Sequence, residues 1–241
     1  QYLLLLNNDT EMINPDSLKD MLGFCQQPEV GAVGARLYYE DDTLQHAGVV
    51  IGFGGIAGHC FVGLHERPGE IYFNRSKMSC DYTAVTAACL MVSKEIYEEV
   101  EGLEAEFKVA FNDIDFCMKI REAGYLVVYD AQSTWHHYES KSRGLEDTPE
   151  KENRFRKEIA LFQTFVICAY KESPYLDECI ESLKNQSVKS EIIIVTHTPC
   201  DYISDMAAKY DLTLFVNEGE GGITQDWNFG LSKVKTRFAT I

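Results

Sequence analysis

Three groups of polar residues follow apolar, strand-like segments of this 241-residue chain. They are NND at 7–9, NDID at 112–115 and HHYES at 136–140. Proteins built from alternating strands and helices place their chemistry at strand ends, and a hydrophobic core needs none of these side chains. Asp9 with an imidazole could hold a hard divalent cation that also binds a diphosphate. An ordinary turn is the other interpretation of Asn-Asn-Asp.

The second group contains two carboxylates, Asp113 and Asp115. Both precede or open a predicted helix, and a helix N-terminus stabilises negative charge, which gives one of them a structural explanation. A carboxylate at the rim of a cleft can instead accept a proton from a sugar hydroxyl. Both interpretations stay open from these residues alone.

The third group begins with two adjacent histidines, His136 and His137. Neighbours in an extended chain point to opposite sides, so at most one of them would face a given metal, and simple packing is the alternative. The segment that follows adds Ser142 and Arg143, which could bind a diphosphate or an acceptor anion. A solvated loop explains that segment almost as well.

The composition is that of an acidic globular protein. The chain is 45% hydrophobic and 25% charged, and 22 basic against 38 acidic residues give a net charge of −16, which disfavours nucleic acid as a partner. The longest apolar runs are far shorter than the roughly 20 residues of a membrane span, so a soluble chain is predicted. Eight cysteines without a C-x-x-C motif predict a reducing compartment, with neither zinc nor disulfides.

The pattern of the last third predicts strands that alternate with helices. Short β-branched runs lie at 165–170, 191–195, 213–217 and 237–241, and Ser173 is a candidate cap for the helix that follows the first run. This order predicts a parallel sheet with ligands at the carboxyl ends of its strands.

The first 164 residues have a different pattern. Strands are predicted at 2–6, 31–39, 83–92 and 125–130, and helices after Asp16, after Ser93, at about 114–123 and within 145–164. The glycine-rich stretch 48–63 predicts a mobile lid without regular structure. It lacks the spacing of a dinucleotide fingerprint, which disfavours an oxidoreductase, and the chain has neither G-x-S-x-G nor H-E-x-x-H, which disfavours a serine hydrolase or a zincin.

Five segments taken in order resemble the family 2 glycosyltransferases of bacterial cell-surface polysaccharide synthesis, particularly the rhamnosyltransferase-like ones. The segments are LLLLNNDTEM, LQHAGVVIGFGGIAGH, AVTAACLMV, AFNDIDFCMKIREAGY and HHYESKSRG. The resemblance implies an α/β GT-A fold, with a mixed, mainly parallel sheet flanked by helices. It also implies inverting transfer of a hexosyl or rhamnosyl group from a nucleotide-diphosphate sugar to a hydroxyl, with Mg²⁺ or Mn²⁺ as cofactor.

The same resemblance implies roles for individual residues. Asp9 takes the place of the metal and diphosphate ligand, while Asn7 stands where other members have a carboxylate. Asp113 takes the place of the catalytic base, and His137 completes the metal or diphosphate site, with His136 as the alternative. The remaining candidates for contacts with donor diphosphate or acceptor are Asn7, Asn8, Gln45, His46, Thr86, Asp115, Ser142 and Arg143.

The order of the parts departs from the family pattern. Residues 1–164 resemble the acceptor and metal half of one domain, and residues 165–241 resemble the nucleotide-binding half of a second, with Tyr170, Glu172 and Thr196 as nucleotide contacts. Where the family has an acidic pair that contacts the base, this chain has Thr196, His197 and Thr198. Two interpretations follow: a segment of a tandem glycosyltransferase, or halves that assemble in permuted order, either within one chain or by exchange in a homodimer.

The resemblance also implies partners and a location. They are a nucleotide-diphosphate sugar and a saccharide or lipid-linked acceptor, with no nucleic acid, in the cytoplasm at the inner face of the membrane. Membrane association would be peripheral and would involve the full-length protein. The alternative is a catalytically silent carbohydrate-binding or scaffold module.

Overall fold

The computed structural model describes residues 1–53, 56–67, 71–107, 110–138, 157–159, 163–186 and 189–241. The chain divides into two compact units, Gln1–Thr148 and Pro149–Ile241. Each unit has its own sheet with helices, so the predicted α/β class is confirmed. The helix predicted within 145–164 lies largely outside the described residues, and residues 157–159 are helical.

The first unit is built around one mixed sheet. Its strands run in the order β1-β8-β3-β9-β2, with β4 beside β3 and β7 beside β9. Among the described pairs, β3 and β9 are parallel and the other pairs of this sheet are antiparallel. The elements are β1 (Tyr2–Leu6), β2 (Thr10–Met12), α1 (Ser17–Cys25), β3 (Val30–Tyr38), β4 (Leu44–His46), β5 (Val49–Ile51), β6 (Ala57–His59), a short 3₁₀ helix (Tyr72–Lys77), β7 (Cys80–Asp81), β8 (Cys89–Ser93), α2 (Lys94–Glu99), α3 (Asn112–Glu122) and β9 (Leu126–His137).

One part of the core of this unit lies between the sheet and α1, and buried residues of α3 pack on the sheet as well. β3 is buried along most of its length because β8 and β9 flank it and α1 covers one face. Met21 and Cys25 of α1 pack on Val33, Leu37 and other apolar residues of the sheet. The central strands are thereby fixed, and the loops at their ends carry the polar groups.

Two predicted strands have different bounds in the structure. The strand predicted at 83–92 begins only at Cys89, because residues 83–88 form a connection held by an isolated bridge between Val49 and Ala84. The strand predicted at 125–130 continues to His137. An irregularity of register against β3 accommodates extra residues between Asp130 and Thr134. The two histidines therefore lie within β9 and not after it.

Two predicted helix caps have different outcomes. Ser93 caps α2, since its hydroxyl accepts a hydrogen bond from the Ile96 amide at 3.1 Å. The cap predicted at Ser173 is wrong, because the helix begins at Leu176, after Tyr175. Ser173 instead belongs to the preceding turn, where its carbonyl accepts from the Leu176 amide at 3.2 Å.

The second unit contains the predicted alternation of strands and helices. Its sheet has the order β12-β11-β10-β13, and each described pair is parallel. Apolar residues cover both faces, with Ile194 on one side and Val195 on the other. The elements are β10 (Gln163–Cys168), α4 (Leu176–Lys184), β11 (Glu191–Thr196), α5 (Asp201–Tyr210), β12 (Thr213–Val216), α6 (Ile223–Leu231) and β13 (Phe238–Thr240).

A buried carboxylate in β9 is unfavourable for the stability of the first unit. Asp130 is fully buried, and its Oδ1 accepts hydrogen bonds from the Gln132 amide at 3.0 Å and from the Ser79 hydroxyl at 3.3 Å. Its Oδ2 has no hydrogen-bond partner in the described part of the chain. Burial raises the pKa of Asp130 above its usual range.

We therefore expect Asp130→Asn to stabilise the protein at neutral pH. When the pKa of a carboxyl is higher in the folded than in the unfolded state, its ionisation lowers the free energy of unfolding. This loss begins as the pH rises above the pKa of the unfolded state. The gain in free energy of unfolding should be on the order of 1 kcal/mol at pH 7 and should vanish as the pH falls to about 4. Urea unfolding across this pH range measures it, and a gain that does not depend on pH would contradict the explanation.

Candidate active site

Strand pairing brings the first and third polar groups together. The chain turns back at residues 7–9 and enters β2, which pairs antiparallel with the end of β9 so that Thr10 lies opposite His137. The amide of Tyr138 donates to the carbonyl of Asp9 at 2.8 Å, and the Thr10 hydroxyl donates to the carbonyl of Asn7 at 2.8 Å. The backbone of the turn is thus held against the end of β9.

The side chains of this turn converge on one histidine. His137 Nε2 lies 3.2 Å from Asp9 Oδ1 and 3.1 Å from Asn7 Nδ2. The side chains of His137 and Asp9 are 10% and 16% exposed, so the pair is shielded from most of the solvent while still accessible at its edge. Asn8, between the two turn residues, is exposed.

Gln45 fixes the orientation of the His137 ring. Its Nε2 donates to the His137 carbonyl at 3.2 Å, which directs its Oε1 to His137 Nδ1 at 2.7 Å. Because the amide oxygen only accepts, Nδ1 carries the proton, and in the neutral ring Nε2 then presents a lone pair. A second-sphere acceptor on the distal ring nitrogen is the usual arrangement for a metal-binding histidine.

The residues fit a divalent cation held jointly with a phosphate ligand. His137 Nε2 and Asp9 Oδ1 lie 3.2 Å apart, a separation that two neighbouring ligands of one cation can have. Among the described residues, no group of three or more His, Cys, Asp or Glu side chains forms a metal site. Further ligands would therefore come from the amide of Asn7 or from diphosphate oxygens.

The neighbouring histidine has a different environment. His136 Nε2 lies 2.8 Å from Asp42 Oδ1, and its ring packs near Tyr38 and Tyr138. The two adjacent rings thus make separate contacts, as alternation along a strand requires. His136 therefore serves as an internal comparison for His137.

Asp113 is linked to the same site through one short segment. Its Oδ2 accepts a hydrogen bond from the Ala87 amide at 3.2 Å, and the carbonyl of Ala88 accepts one from the Asn7 amide at 2.9 Å. Asp113 Oδ1 accepts from the Ile114 amide at 2.9 Å. Residues 87 and 88 therefore connect the candidate base with the turn that holds the candidate metal ligands.

The start of α3 presents Asp113 on an unusual backbone. Phe111, at the helix N-cap position, has φ of 63°, a left-handed conformation that residues with a side chain adopt at a cost. Asp115 lies two residues after Asp113 and is buried. Its Oδ2 lies 3.3 Å from Lys119 Nζ, one turn further along the helix. This placement gives Asp115 a role within the helix.

The remaining candidates of the first unit are distributed over several places. The Thr86 hydroxyl accepts from the Ala88 amide at 3.3 Å, so it supports the connecting segment. His46 is buried, with its Nδ1 3.1 Å from Nδ1 of His59, and burial keeps its pKa well below the usual value. The two neighbours therefore have different partners: Gln45 contacts His137, and His46 contacts His59. Ser142 and Arg143 lie outside the described residues.

The glycine-rich stretch is partly regular, which corrects the expectation of an irregular lid. β5 and β6 pair antiparallel within it, with Val49 opposite His59. Gly48 and Gly52 flank β5 with φ of 96° and 78°, which places the glycines where left-handed turns are needed and leaves β-branched residues for the strand. The glycines therefore bound a short hairpin strand and do not prevent it.

In the second unit, polar residues gather at the carboxyl ends of the strands. Tyr170 and Glu172, after β10, are exposed. Thr196, at the end of β11, is fully buried, and its hydroxyl accepts from the Thr198 amide at 3.0 Å. It therefore shapes the loop, whereas Tyr170 and Glu172 are accessible to a ligand.

Sequence reasoning missed a buried hydrogen-bonded network beside these residues. His197 Nδ1 contacts Asp226 Oδ2 at 2.5 Å, and Asn217 Nδ2 donates to Asp226 Oδ1 at 2.9 Å. The Tyr170 ring packs on the His197 ring with centroids 5.8 Å apart. His197 directly follows β11 and Asn217 directly follows β12. Their position at the carboxyl ends of two predicted parallel strands was the signal that could have indicated them.

Comparisons with known proteins agree with part of the resemblance. Residues 164–241 match the sequence profile of Glycosyl transferase family 2, which confirms the predicted resemblance of that segment. The crystal structure of GalNAc-T7 with UDP, GalNAc and Mn²⁺ has a TM-score of 0.46 and 10% identity to this chain, with 89% of this chain and 39% of that one covered.

Two curated proteins are similar in sequence. The chain is 52% identical over 162 residues to the uncharacterized protein y4gI of Sinorhizobium fredii (strain NBRC 101917 / NGR234), which covers 66% of this chain and 18% of that protein. It is 38% identical over 150 residues to the O-antigen biosynthesis protein RfbC of Myxococcus xanthus, which covers 62% of this chain and 12% of that protein. The chain thus spans less than a fifth of the length of these relatives, and its segment 164–241 matches Glycosyl transferase family 2.

Proposed function

We propose that this chain is part of an inverting, metal-dependent glycosyltransferase of bacterial polysaccharide synthesis. It would transfer a hexosyl or rhamnosyl group from a nucleotide-diphosphate sugar to a hydroxyl of a saccharide or lipid-linked acceptor. The observation that carries the proposal is the convergence of Asp9 and His137 beside the segment 87–88, which also binds Asp113. The match of residues 164–241 to Glycosyl transferase family 2 supports the same reaction class.

In the proposed mechanism, Asp113 is the general base. One carboxylate oxygen of Asp113 removes the proton of the acceptor hydroxyl. The acceptor oxygen then attacks the anomeric carbon on the face opposite the diphosphate, and the bond between that carbon and the departing diphosphate breaks. A single in-line displacement of this kind inverts the configuration. Both carboxylate oxygens accept backbone hydrogen bonds, and each keeps a second lone pair for this role.

Asp9 and His137 would hold the diphosphate end of the donor through Mg²⁺ or Mn²⁺. When bound, the cation would offset the negative charge that develops on the departing diphosphate. Gln45 would act as a positioning residue, because its amide keeps the His137 ring in the tautomer that presents Nε2.

The second unit would supply a nucleotide site of the GT-A type. From β10 the chain adds β11 and β12 on one side and then β13 on the other, so the strand order switches between β10 and β13. At such a switch point, α/β proteins bind ligands at the carboxyl ends of the parallel strands. Tyr170 and Glu172 are the proposed contacts, with His197 beside them. The proposal includes an origin in a tandem enzyme, with residues 1–164 from one domain and residues 165–241 from the next, and a peripheral location at the inner face of the bacterial membrane.

Calorimetric titration of the 241-residue chain with nucleoside diphosphates tests this proposal. We expect binding that strengthens when Mn²⁺ is added. Release of nucleoside diphosphate from the matching sugar donor is expected from the full-length protein, because residues 1–164 and 165–241 are proposed to belong to different domains. The absence of binding for every nucleoside diphosphate would overturn the proposal. In that case, the silent carbohydrate-binding module, which the amide at Asn7 in place of a carboxylate favours, would be the better interpretation.

A further inference from the structure

A short exposed segment of the first unit combines aromatic and basic side chains. We call residues 71–78 the aromatic-basic loop. Tyr72, Phe73 and Met78 of this loop are 74%, 80% and 55% exposed, and the first two rings contact each other with centroids 4.6 Å apart. Single exposed apolar residues need no explanation, but a cluster of this kind is typical of a surface that meets a partner or a membrane.

Buried neighbours hold the aromatic-basic loop in place. Ile71 and Ser76 are 5% and 1% exposed, the Tyr129 hydroxyl donates to the Ser76 carbonyl at 2.6 Å, and the Ser76 hydroxyl contacts the Glu66 carboxylate. Phe73 and Asn74 have φ of 47° and 53°, a region that residues with side chains seldom occupy. The surrounding contacts therefore sustain a backbone conformation in which large apolar side chains face solvent.

The charge of the aromatic-basic loop is opposite to that of the chain. Residues 71–78 contain Arg75 and Lys77, both exposed, and no acidic residue, in a protein with a net charge of −16. Glu66, which contacts the loop, forms an ion pair with Arg36 at 3.1 Å and also attracts Lys77. The Arg75 guanidinium donates a hydrogen bond to the Tyr82 hydroxyl. Both cations of the loop nevertheless stay exposed. Since charges farther than about 8 Å are screened at physiological ionic strength, a surface that meets the loop experiences its two cations.

We propose that the aromatic-basic loop docks this protein on an anionic lipid bilayer. Aromatic side chains favour the headgroup region, and basic residues near the surface are attracted by acidic lipids. A saccharide could stack on Tyr72 and Phe73, but it would not require Arg75 and Lys77. This inference rests on the proposed function in one respect, the location at the membrane, and identifies the surface that would contact the bilayer.

Co-sedimentation of the 241-residue chain with lipid vesicles tests the proposal. We expect binding to vesicles of phosphatidylcholine mixed with phosphatidylglycerol, weaker binding to phosphatidylcholine alone, and a decrease as salt is raised. The double variants Tyr72→Ser/Phe73→Ser and Arg75→Gln/Lys77→Gln should each lower the partition coefficient on anionic vesicles on the order of tenfold.

Exposed residues of the same type elsewhere in the chain supply matched controls. Tyr175→Ser removes an aromatic side chain that is 71% exposed, and Lys19→Gln/Lys94→Gln removes two exposed cations. These variants should bind vesicles like the wild type, and circular dichroism should show all variants folded.

Equal binding to both vesicle types, or an unchanged partition coefficient in both loop variants, would overturn the proposal. So would binding of soluble oligosaccharides through Tyr72 and Phe73 without vesicle binding. Nucleoside diphosphate titration is independent of this outcome, so the two proposals can fail separately.

Discussion

Replacement of Asp113 by asparagine should lower the rate of sugar transfer by about 10²–10⁴-fold and leave the affinity for the donor unchanged. The carboxylate is the proposed acceptor of the proton from the attacking hydroxyl, and an amide cannot take that proton. Measurement of nucleoside diphosphate release by the full-length protein, together with donor titration, separates the two quantities. Similar turnover by wild type and Asp113→Asn would remove Asp113 from the mechanism.

The structural contribution of Asp113 has to be measured in the same variants. Its oxygens accept hydrogen bonds from Ala87 and Ile114, and an asparagine keeps one acceptor, so a loss of about 1 kcal/mol of stability is expected. Asp113→Glu keeps the charge and displaces it, and should recover little activity because proton transfer depends on position. If the loss of activity followed the loss of stability across both variants, a purely structural role would explain it.

Removal of the His137 imidazole should weaken the Mn²⁺-dependent binding of the donor. His137→Ala deletes a proposed cation ligand, and Gln45→Leu releases the ring from its fixed orientation; the latter change should lower the affinity for Mn²⁺ by about 10–100-fold. The effect of His137→Ala should be at least as large. Titration of Mn²⁺ in the presence of the nucleoside diphosphate measures both.

His136→Ala is the control for this prediction, because it removes the adjacent imidazole, which contacts Asp42. Its affinity for Mn²⁺ should equal that of the wild type. Donor binding without the cation should also be similar in all three variants. An equal loss in His136→Ala and His137→Ala would indicate damage to the end of β9 and would argue against a cation at Asp9 and His137.

The architecture of the second unit was predictable because its signals are local. Each strand is a short β-branched run, and the helix at 176–184 repeats apolar residues at helical spacing, so neighbouring residues alone determine the pattern. The parallel order then follows from the alternation of the elements. The boundary at Ser173 was predicted wrongly because Pro174 and Ser173 suit both a cap and a turn.

The first unit was less predictable because its pairings are distant in sequence. The end of β9 could not be placed from the run YLVVYD, since the pairing of β9 with β3 and β2 extends the strand through less apolar residues. The same holds for the glycine-rich stretch, where pairing with β6 makes a strand of Val49–Ile51. Tertiary partners here override the local preference.

The sequence by itself determined which residues could do chemistry: Asp9, Asp113 and His137. Only the tertiary structure decided that Asp9 and His137 face each other, that Gln45 and not His46 supports them, and that His197 joins Asp226. The physical reason is that side-chain type and spacing are properties of a short segment. Contact between distant segments depends on strand register, and a shift of one residue turns each side chain to the other face of the sheet.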